Sequence, residues 1–252
     1  MPPSTKDVTG RELAYHERLY SGFAQRHFAR PAVRALREHM ATRILKATGA
    51  WSRSRVLSLG CGIGDTELLV ARQVHDIVGI DLSPAAIRQA RADAERLGVG
   101  NARFEEGETP PEGAFDAVIA IFFLHHLSDG ALAGLPRRLR QWLRPGGVFY
   151  SLDPSRYRLS GAVGRRLIPG LMKRYQTPDE RELDPEETAA LFRDAGFQVQ
   201  VGMYDFGSTP LAGLLPGWRA GYRAARALDD WLLRIGALRQ RGSNFELVAK
   251  PV

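Results

Sequence analysis

Cysteine is almost missing from this chain: Cys61 is the only one among 252 residues. A single thiol can form no internal disulfide and no cysteine cluster around a metal, which excludes a disulfide-stapled miniprotein and a zinc finger. Long apolar runs are missing as well. The best, residues 117–124, falls far short of the roughly 20 residues that span a bilayer. The opening Met1-Pro2-Pro3-Ser4-Thr5-Lys6-Asp7 lacks the apolar core of a secretory leader, and this predicts a cytoplasmic protein. Lysine is scarce, with 4 Lys beside 31 Arg. The net charge of +7 and pI near 9.9 are open to two explanations, an anionic partner or the codon bias of a GC-rich genome. No lysine-rich tract and no long block of one sign is present, so a nucleic-acid partner is not favoured.

What is present fits a globular protein with a substantial core: 44% of residues are hydrophobic and 25% charged. The chain reads as one domain over 1–252. Residues 1–54 are helical, with amphipathic stretches at 13–28 and 31–47. Residues 55–153 alternate short apolar strands (56–59, 77–80, 102–104, 117–122 and 148–152) with helices. Residues 154–183 form a basic connection rich in turn residues. Residues 184–252 give a helix, a strand over 198–204, a helical insertion over 207–243 and a last strand over 244–250. Nearly continuous apolar strands are those of a parallel sheet covered on both faces. Ser83-Pro84 starts a helix whose Ile87, Ala90, Ala94 and Leu97 share a face before Gly98, and Asp184-Pro185-Glu186-Glu187 starts another as a capping box. The fold class is therefore α/β, a doubly wound, seven-stranded, mostly parallel Rossmann-like sheet with N-terminal helices and a helical insertion before the last strand.

The sharpest motif is Val56-Leu57-Ser58-Leu59-Gly60-Cys61-Gly62-Ile63-Gly64-Asp65. A buried strand runs into three glycines and then a helix, and the next strand ends at Asp81. A carboxylate at that tip can accept both hydroxyls of a ribose. The glycines are spaced G-x-G-x-G rather than the G-x-G-x-x-G of dinucleotide folds, which disfavours a nicotinamide dehydrogenase.

Here the sequence resembles the class I S-adenosylmethionine-dependent methyltransferases, in their small-molecule (type 11-like) branch. Besides the glycine loop, the resemblance rests on Asp81-Leu82-Ser83-Pro84, on Phe104-Glu105-Glu106-Gly107-Glu108, on the run from Phe115 to Leu127 ending Phe122-Phe123-Leu124-His125-His126-Leu127, and on Leu143-Arg144-Pro145-Gly146-Gly147-Val148. It implies S-adenosylmethionine as cofactor. Gly60, Cys61 and Gly62 would line its amino-acid part, Asp81 the ribose and Leu82 the adenine. Glu108 and Thr109 would bond the adenine edge, and Ile121 and Phe122 would border the methyl group. Tyr15, His16 and Tyr20 belong to the N-terminal region that often folds as a lid. One departure stands out: where the family often has an acid two residues before the first glycine, this chain has Ser58, so acidic help for the cofactor's ammonium must come from elsewhere or from water.

The implied reaction is direct displacement by a positioned acceptor, without a metal. His125 and His126 follow the fourth strand and are the general-base candidates; helix capping is the alternative for them. Asp153 ends the fifth strand, but no Asp follows the fourth, so the paired acidic metal site of catechol-type enzymes looks absent. In the insertion, Trp218, Tyr222, Ala225, Leu228, Trp231, Leu232, Ile235 and Leu238 are expected on one broad face, with Arg219, Arg223, Arg226 and Arg234 opposite. That pattern suits a lid over the acceptor pocket or a helix on a membrane surface. The acceptor expected is a small, apolar, lipid-like molecule. An RNA or protein methyltransferase and a non-catalytic S-adenosylmethionine-binding domain are the alternatives, and nothing in the sequence sets an oligomeric state.

Overall fold

The computed structural model describes residues 29–110, 114–158, 182–238 and 240–252. Seven strands form one sheet: β1 (Arg55–Leu59), β2 (Asp76–Asp81), β3 (Ala102–Glu106), β4 (Phe115–Ile121), β5 (Leu143–Pro154), β6 (Phe197–Asp205) and β7 (Asn244–Pro251). Their order is β3-β2-β1-β4-β5-β7-β6. The first five run parallel, and β7 lies antiparallel between β5 and β6. The order reverses between β1 and β4, so both strands deliver their C-terminal ends to one crevice, the usual ligand position of such sheets.

Helices cover both faces because the strands are apolar on both. Leu57, Leu59, Val78, Ile80, Val118, Ala120 and Phe149 meet Leu132, Leu135 and Leu139 of one helix, α4 (Asp129–Trp142), and Ala189 and Phe192 of another, α5 (Pro185–Asp194). On the opposite face Val56, Ile77, Ala117, Ile119, Tyr150 and Leu152 meet Ala32, Leu36, Met40 and Ile44 of α1 (Pro31–Thr48). Each of the buried Val, Leu, Ile, Phe and Met side chains contributes roughly 1.5–3 kcal/mol. The loop after β1 leads into a short helix, α2 (Glu67–Val70), and β2 leads into α3 (Pro84–Arg96). Both expected N-caps form, the second through its Asp184 half: Ser83 Oγ accepts from Ala86 N at 3.2 Å, and the Asp184 carboxylate accepts from Glu186 N and Glu187 N. The α/β, doubly wound, mostly parallel architecture is as the sequence predicts.

Most strand boundaries shift by one or two residues, and three differences have a clear physical reason. β5 begins five residues earlier than its apolar run, at Leu143, because Leu143 already pairs with Phe115 across a register shift. β4 ends one residue earlier than expected, because Phe122 leaves the strand with φ of 53°. The helix after the glycine loop is α-helical only over Glu67–Val70 and tightens into a 3₁₀ turn over Ala71–Gln73.

The insertion is two helices, α6 (Ser208–Leu214) and α7 (Arg219–Leu232). The N-terminus of α6 is held by two carboxylates from outside it. Asp229 of α7 accepts from Gly207 N and, at 2.8 Å, from Ser208 N, while Asp205 accepts from Thr209 N at 2.8 Å. Negative groups there complement the open N–H ends of the helix. Ala32 N donates to Pro216 O at 2.8 Å and Arg219 pairs with Glu38, which fastens the insertion to α1.

The expected faces of α7 are corrected by the structure. Its buried residues are Gly221, Tyr222, Arg226 and Asp229, so Arg226 lies inward rather than with the other arginines. Its guanidinium donates to Tyr204 O at 2.8 Å and to Asp230 at 2.9 Å, and stacks 5.2 Å over the Tyr204 ring. Trp218, Leu228 and Trp231 are instead more than half exposed. The sequence pattern misassigned the face because an arginine whose two terminal nitrogens find partners can be buried, and helical periodicity weighs it only as polar.

Candidate active site

The glycine loop closes against the tip of β2. Gly60, Gly62 and Gly64 all adopt positive φ, at 64°, 52° and 72°, a region costly for residues with a Cβ. Space also demands glycine: a Cβ at Gly60 would lie 2.4 Å from the Phe123 ring, and one at Gly64 2.6 Å from Phe104. Gly62 N donates to Asp81 Oδ2 at 2.8 Å, and Ser83 N donates to Asp81 Oδ1 at 2.9 Å. Each carboxylate oxygen therefore accepts one backbone N–H and keeps capacity for a second donor. Gly107 N donates to Asp81 O at 3.0 Å, bringing the end of β3 alongside. Leu82 is exposed beside Asp81, and Glu108 and Thr109 are exposed just past β3. A backbone cradle, a bifurcated carboxylate and an open apolar side chain in one row fit a nucleoside with a polar tail.

Cys61 lies under the loop and is buried; burial and the nearby Glu67 and Asp81 carboxylates push its thiol well up, so it stays neutral. Only its backbone is available to a ligand.

Beneath the loop sits an acidic group that sequence reasoning passed over. Ser58 Oγ donates to Glu67 Oε1 at 2.7 Å in a buried contact. Burial, then the neighbouring Asp65 carboxylate, raise the Glu67 carboxyl to about 7, against the hydrogen bond from Ser58 and the charge of Arg37. Arg37 of α1 pairs with Asp65 at 2.8 Å and donates to Thr66 Oγ1 at 3.4 Å. The available signal was Ser58 itself, read together with an acid in the first turn of the next helix.

At the end of β4 the chain turns sharply. Phe122 holds its positive φ while its N–H donates to Leu152 O at 2.7 Å. That turn lays Phe123 over Gly60 and carries His125 back over the end of β5. There His125 Nδ1 lies 3.0 Å from Asp153 Oδ1, and His125 N donates to the same oxygen at 3.3 Å. Both side chains are buried, and Asp153 Oδ2 has no hydrogen-bond partner among the described residues. The half-buried His126 ring stands 4.0 Å from that of His125. The two histidines thus differ: one is locked to a carboxylate and the other flanks it. Asp153, weighed in the sequence only as half of a metal site, instead orients a histidine.

Ile121 and Leu152 at the sheet edge belong to the same apolar cluster as Tyr204, Ala212 and Tyr222, with Phe122 and Leu211 packed against it. The insertion therefore shares one apolar cluster with the C-terminal ends of β4 and β5. Tyr15, His16 and Tyr20 lie outside the described residues.

Residues 56–147 match the family model described as a methyltransferase domain. Among curated proteins, the chain is 26% identical over 206 residues to a ubiquinone biosynthesis O-methyltransferase of Acinetobacter baylyi, covering 78% of this chain and 85% of that one. Among solved structures it is similar to the DhpI–S-adenosylhomocysteine complex, with TM-score 0.62, 15% identity and 98% of each chain covered. It is similar also to YcgJ of Bacillus subtilis, with TM-score 0.56, 20% identity and 85% and 99% covered. With the switch-point crevice, the glycine cradle and this family match, the chain is a class I S-adenosylmethionine-dependent methyltransferase. No described helix is long and apolar enough to cross a membrane.

Proposed function

We propose that the enzyme methylates a hydroxyl oxygen of a small apolar acceptor, with His125 as general base and Asp153 as its positioning residue. The observation that carries this reading is the buried His125–Asp153 pair beside Phe122 at the C-terminal edge of β4 and β5. A carboxylate only accepts hydrogen bonds, so it draws the imidazole proton to Nδ1 and leaves Nε2 with its lone pair. His125 Nε2 then takes the proton of the acceptor hydroxyl, and Asp153 stabilises the imidazolium that forms. Such help is worth about 10²–10⁴-fold. When bound, the cofactor supplies a methyl group already activated on sulfonium. Gly60, Cys61 and Gly62 hold its amino-acid part through their backbone, Asp81 the ribose, Leu82 the adenine face, Glu108 and Thr109 its edge, and Ile121 and Phe122 the space before the methyl. The likeness to O-methyltransferases of ubiquinone biosynthesis supports an oxygen acceptor with an apolar body.

The test is methyl transfer from labelled cofactor to a panel of phenols, catechols and quinols, with RNA and protein as comparison acceptors. Transfer to a phenolic oxygen is expected, and His125→Ala should abolish most of it without changing affinity for S-adenosylhomocysteine. Transfer confined to RNA or protein, or normal turnover in His125→Ala, would overturn the reading.

The exposed side of the insertion supports a second element, delivery of that acceptor from an anionic bilayer. Leu214, Leu215, Trp218, Leu228, Trp231 and Ile235 are all exposed, and Arg223 and Arg234 are exposed on the same helical segment. Aromatic and aliphatic side chains flanked by arginine suit the headgroup boundary. Cosedimentation with vesicles rich in anionic lipid is expected, declining with added salt and lost in Trp231→Glu. Absence of wild-type binding at low salt would remove the membrane from the proposal.

A further inference from the structure

We infer that Glu67, held in place by Ser58, is the carboxylate that receives the α-ammonium of S-adenosylmethionine, and that cofactor binding drives a proton off it. The inference rests on the cofactor assignment and not on the acceptor or on His125. A ligand at this loop is indicated independently of the acids, by the positive-φ glycines and by the family match over residues 56–147.

The position usually occupied by an acid on the first strand carries Ser58, whose side chain is buried on the α1 side of the sheet. A hydroxyl cannot offset an ammonium. Nine residues later, the first turn of α2 returns Glu67 to that spot, and the 2.7 Å hydrogen bond from Ser58 fixes Oε1 there. The chain has divided one strand acid into a short donor on the strand and a carboxylate on the helix. The charge pattern agrees. From the loop Asp65, from α2 Glu67 and from β2 Asp81 set three carboxylates around the cradle, and from α1 only Arg37 answers them, already paired with Asp65. Among the described residues the cradle is short of positive charge, and the cofactor carries it. Burial and the neighbouring Asp65 carboxylate, outweighing Ser58 and Arg37, keep the proton on Glu67 up to about pH 7. An arriving ammonium favours the carboxylate, so the proton leaves to solvent as the ion pair forms.

The test is titration calorimetry of S-adenosylhomocysteine and of methylthioadenosine, which shares the nucleoside but lacks the amino-acid tail. Each is titrated across pH in buffers of different ionisation enthalpy. Wild-type affinity for S-adenosylhomocysteine should rise by up to about tenfold per pH unit between roughly pH 5.5 and 7, with proton release on binding. Methylthioadenosine should show no such slope. Glu67→Gln should weaken S-adenosylhomocysteine by at least about tenfold at pH 7, lose the slope, and leave methylthioadenosine unchanged. Asp81→Ala, by contrast, should weaken both. The double exchange Ser58→Asp with Glu67→Ser should recover affinity, which answers any folding defect of the single variant. Equal loss of both nucleosides in Glu67→Gln, or retained affinity for S-adenosylhomocysteine, would overturn the inference. If the wild type bound neither nucleoside, the cofactor assignment would fail first, and the inference with it.

Discussion

Asp153→Asn is expected to lower turnover by about 10²–10³-fold at neutral pH, within the range ascribed to general-base catalysis, while affinity for S-adenosylhomocysteine stays at the wild-type value. The amide oxygen of Asn can take the place of Oδ1 and still accept from His125 N and Nδ1, so the geometry at 3.3 and 3.0 Å need not change. What is lost is the charge. An imidazolium facing a neutral amide in a buried site is harder to form than one facing a carboxylate. The new amide N–H₂ also replaces Oδ2, which has no partner among the described residues, and so buries donors with nothing to accept them. Because protonating His125 becomes harder, the acidic limb of the pH–rate profile should move to lower pH. A purely structural role for Asp153 would instead lower cofactor affinity with the limb in place. Wild-type turnover in this variant would remove both Asp153 and His125 from the reaction.

The parts of this protein legible in its sequence are those set by local pattern. Apolar runs bounded by turns gave the strands, Ser83 and Asp184 gave two helix starts, and the glycine spacing with Asp81 gave the cradle, since turn, carboxylate and helix sit close together in the chain. Pairings across the sheet edge were not legible. Asp153 meets His125 only because β4 and β5 are neighbours and Phe122 turns the chain back over them. Its residue type was visible, but its partner was not. Glu67 was hidden for another reason. Read on its own, it was an ordinary acid in a first helical turn, and only the contact with Ser58 turns an apparent loss on the strand into a transfer to the helix. Arg226 misled in the opposite sense. Its charge suggested solvent, yet Tyr204, Ser208 and Asp230 supply the partners that make burial tolerable.

Glu67→Gln is expected to make the ligand-free protein more stable at pH 8 than the wild type, and about equally stable at about pH 4. The folded carboxyl titrates at about 7, against an ordinary value of 4.5. A folded pKa above the unfolded one means that the native state binds the proton more tightly. Its contribution to stability is therefore complete below about pH 4.5 and is lost as pH rises through about 7. A shift of that size corresponds to about 3 kcal/mol, at roughly 1.36 kcal/mol per unit. Gln cannot ionise, and its amide oxygen can still accept from Ser58 Oγ, so the variant avoids the loss at alkaline pH. Urea unfolding at the two pH values measures the difference directly. A variant less stable than wild type at pH 8 would show that the carboxylate is already compensated in the empty site. Saturating S-adenosylhomocysteine should narrow the gap, because the ligand's ammonium then supplies the counter-charge to the wild type alone. A buried acid that weakens the free protein and is relieved only by its ligand is the expected cost of preorganising a site for a cation.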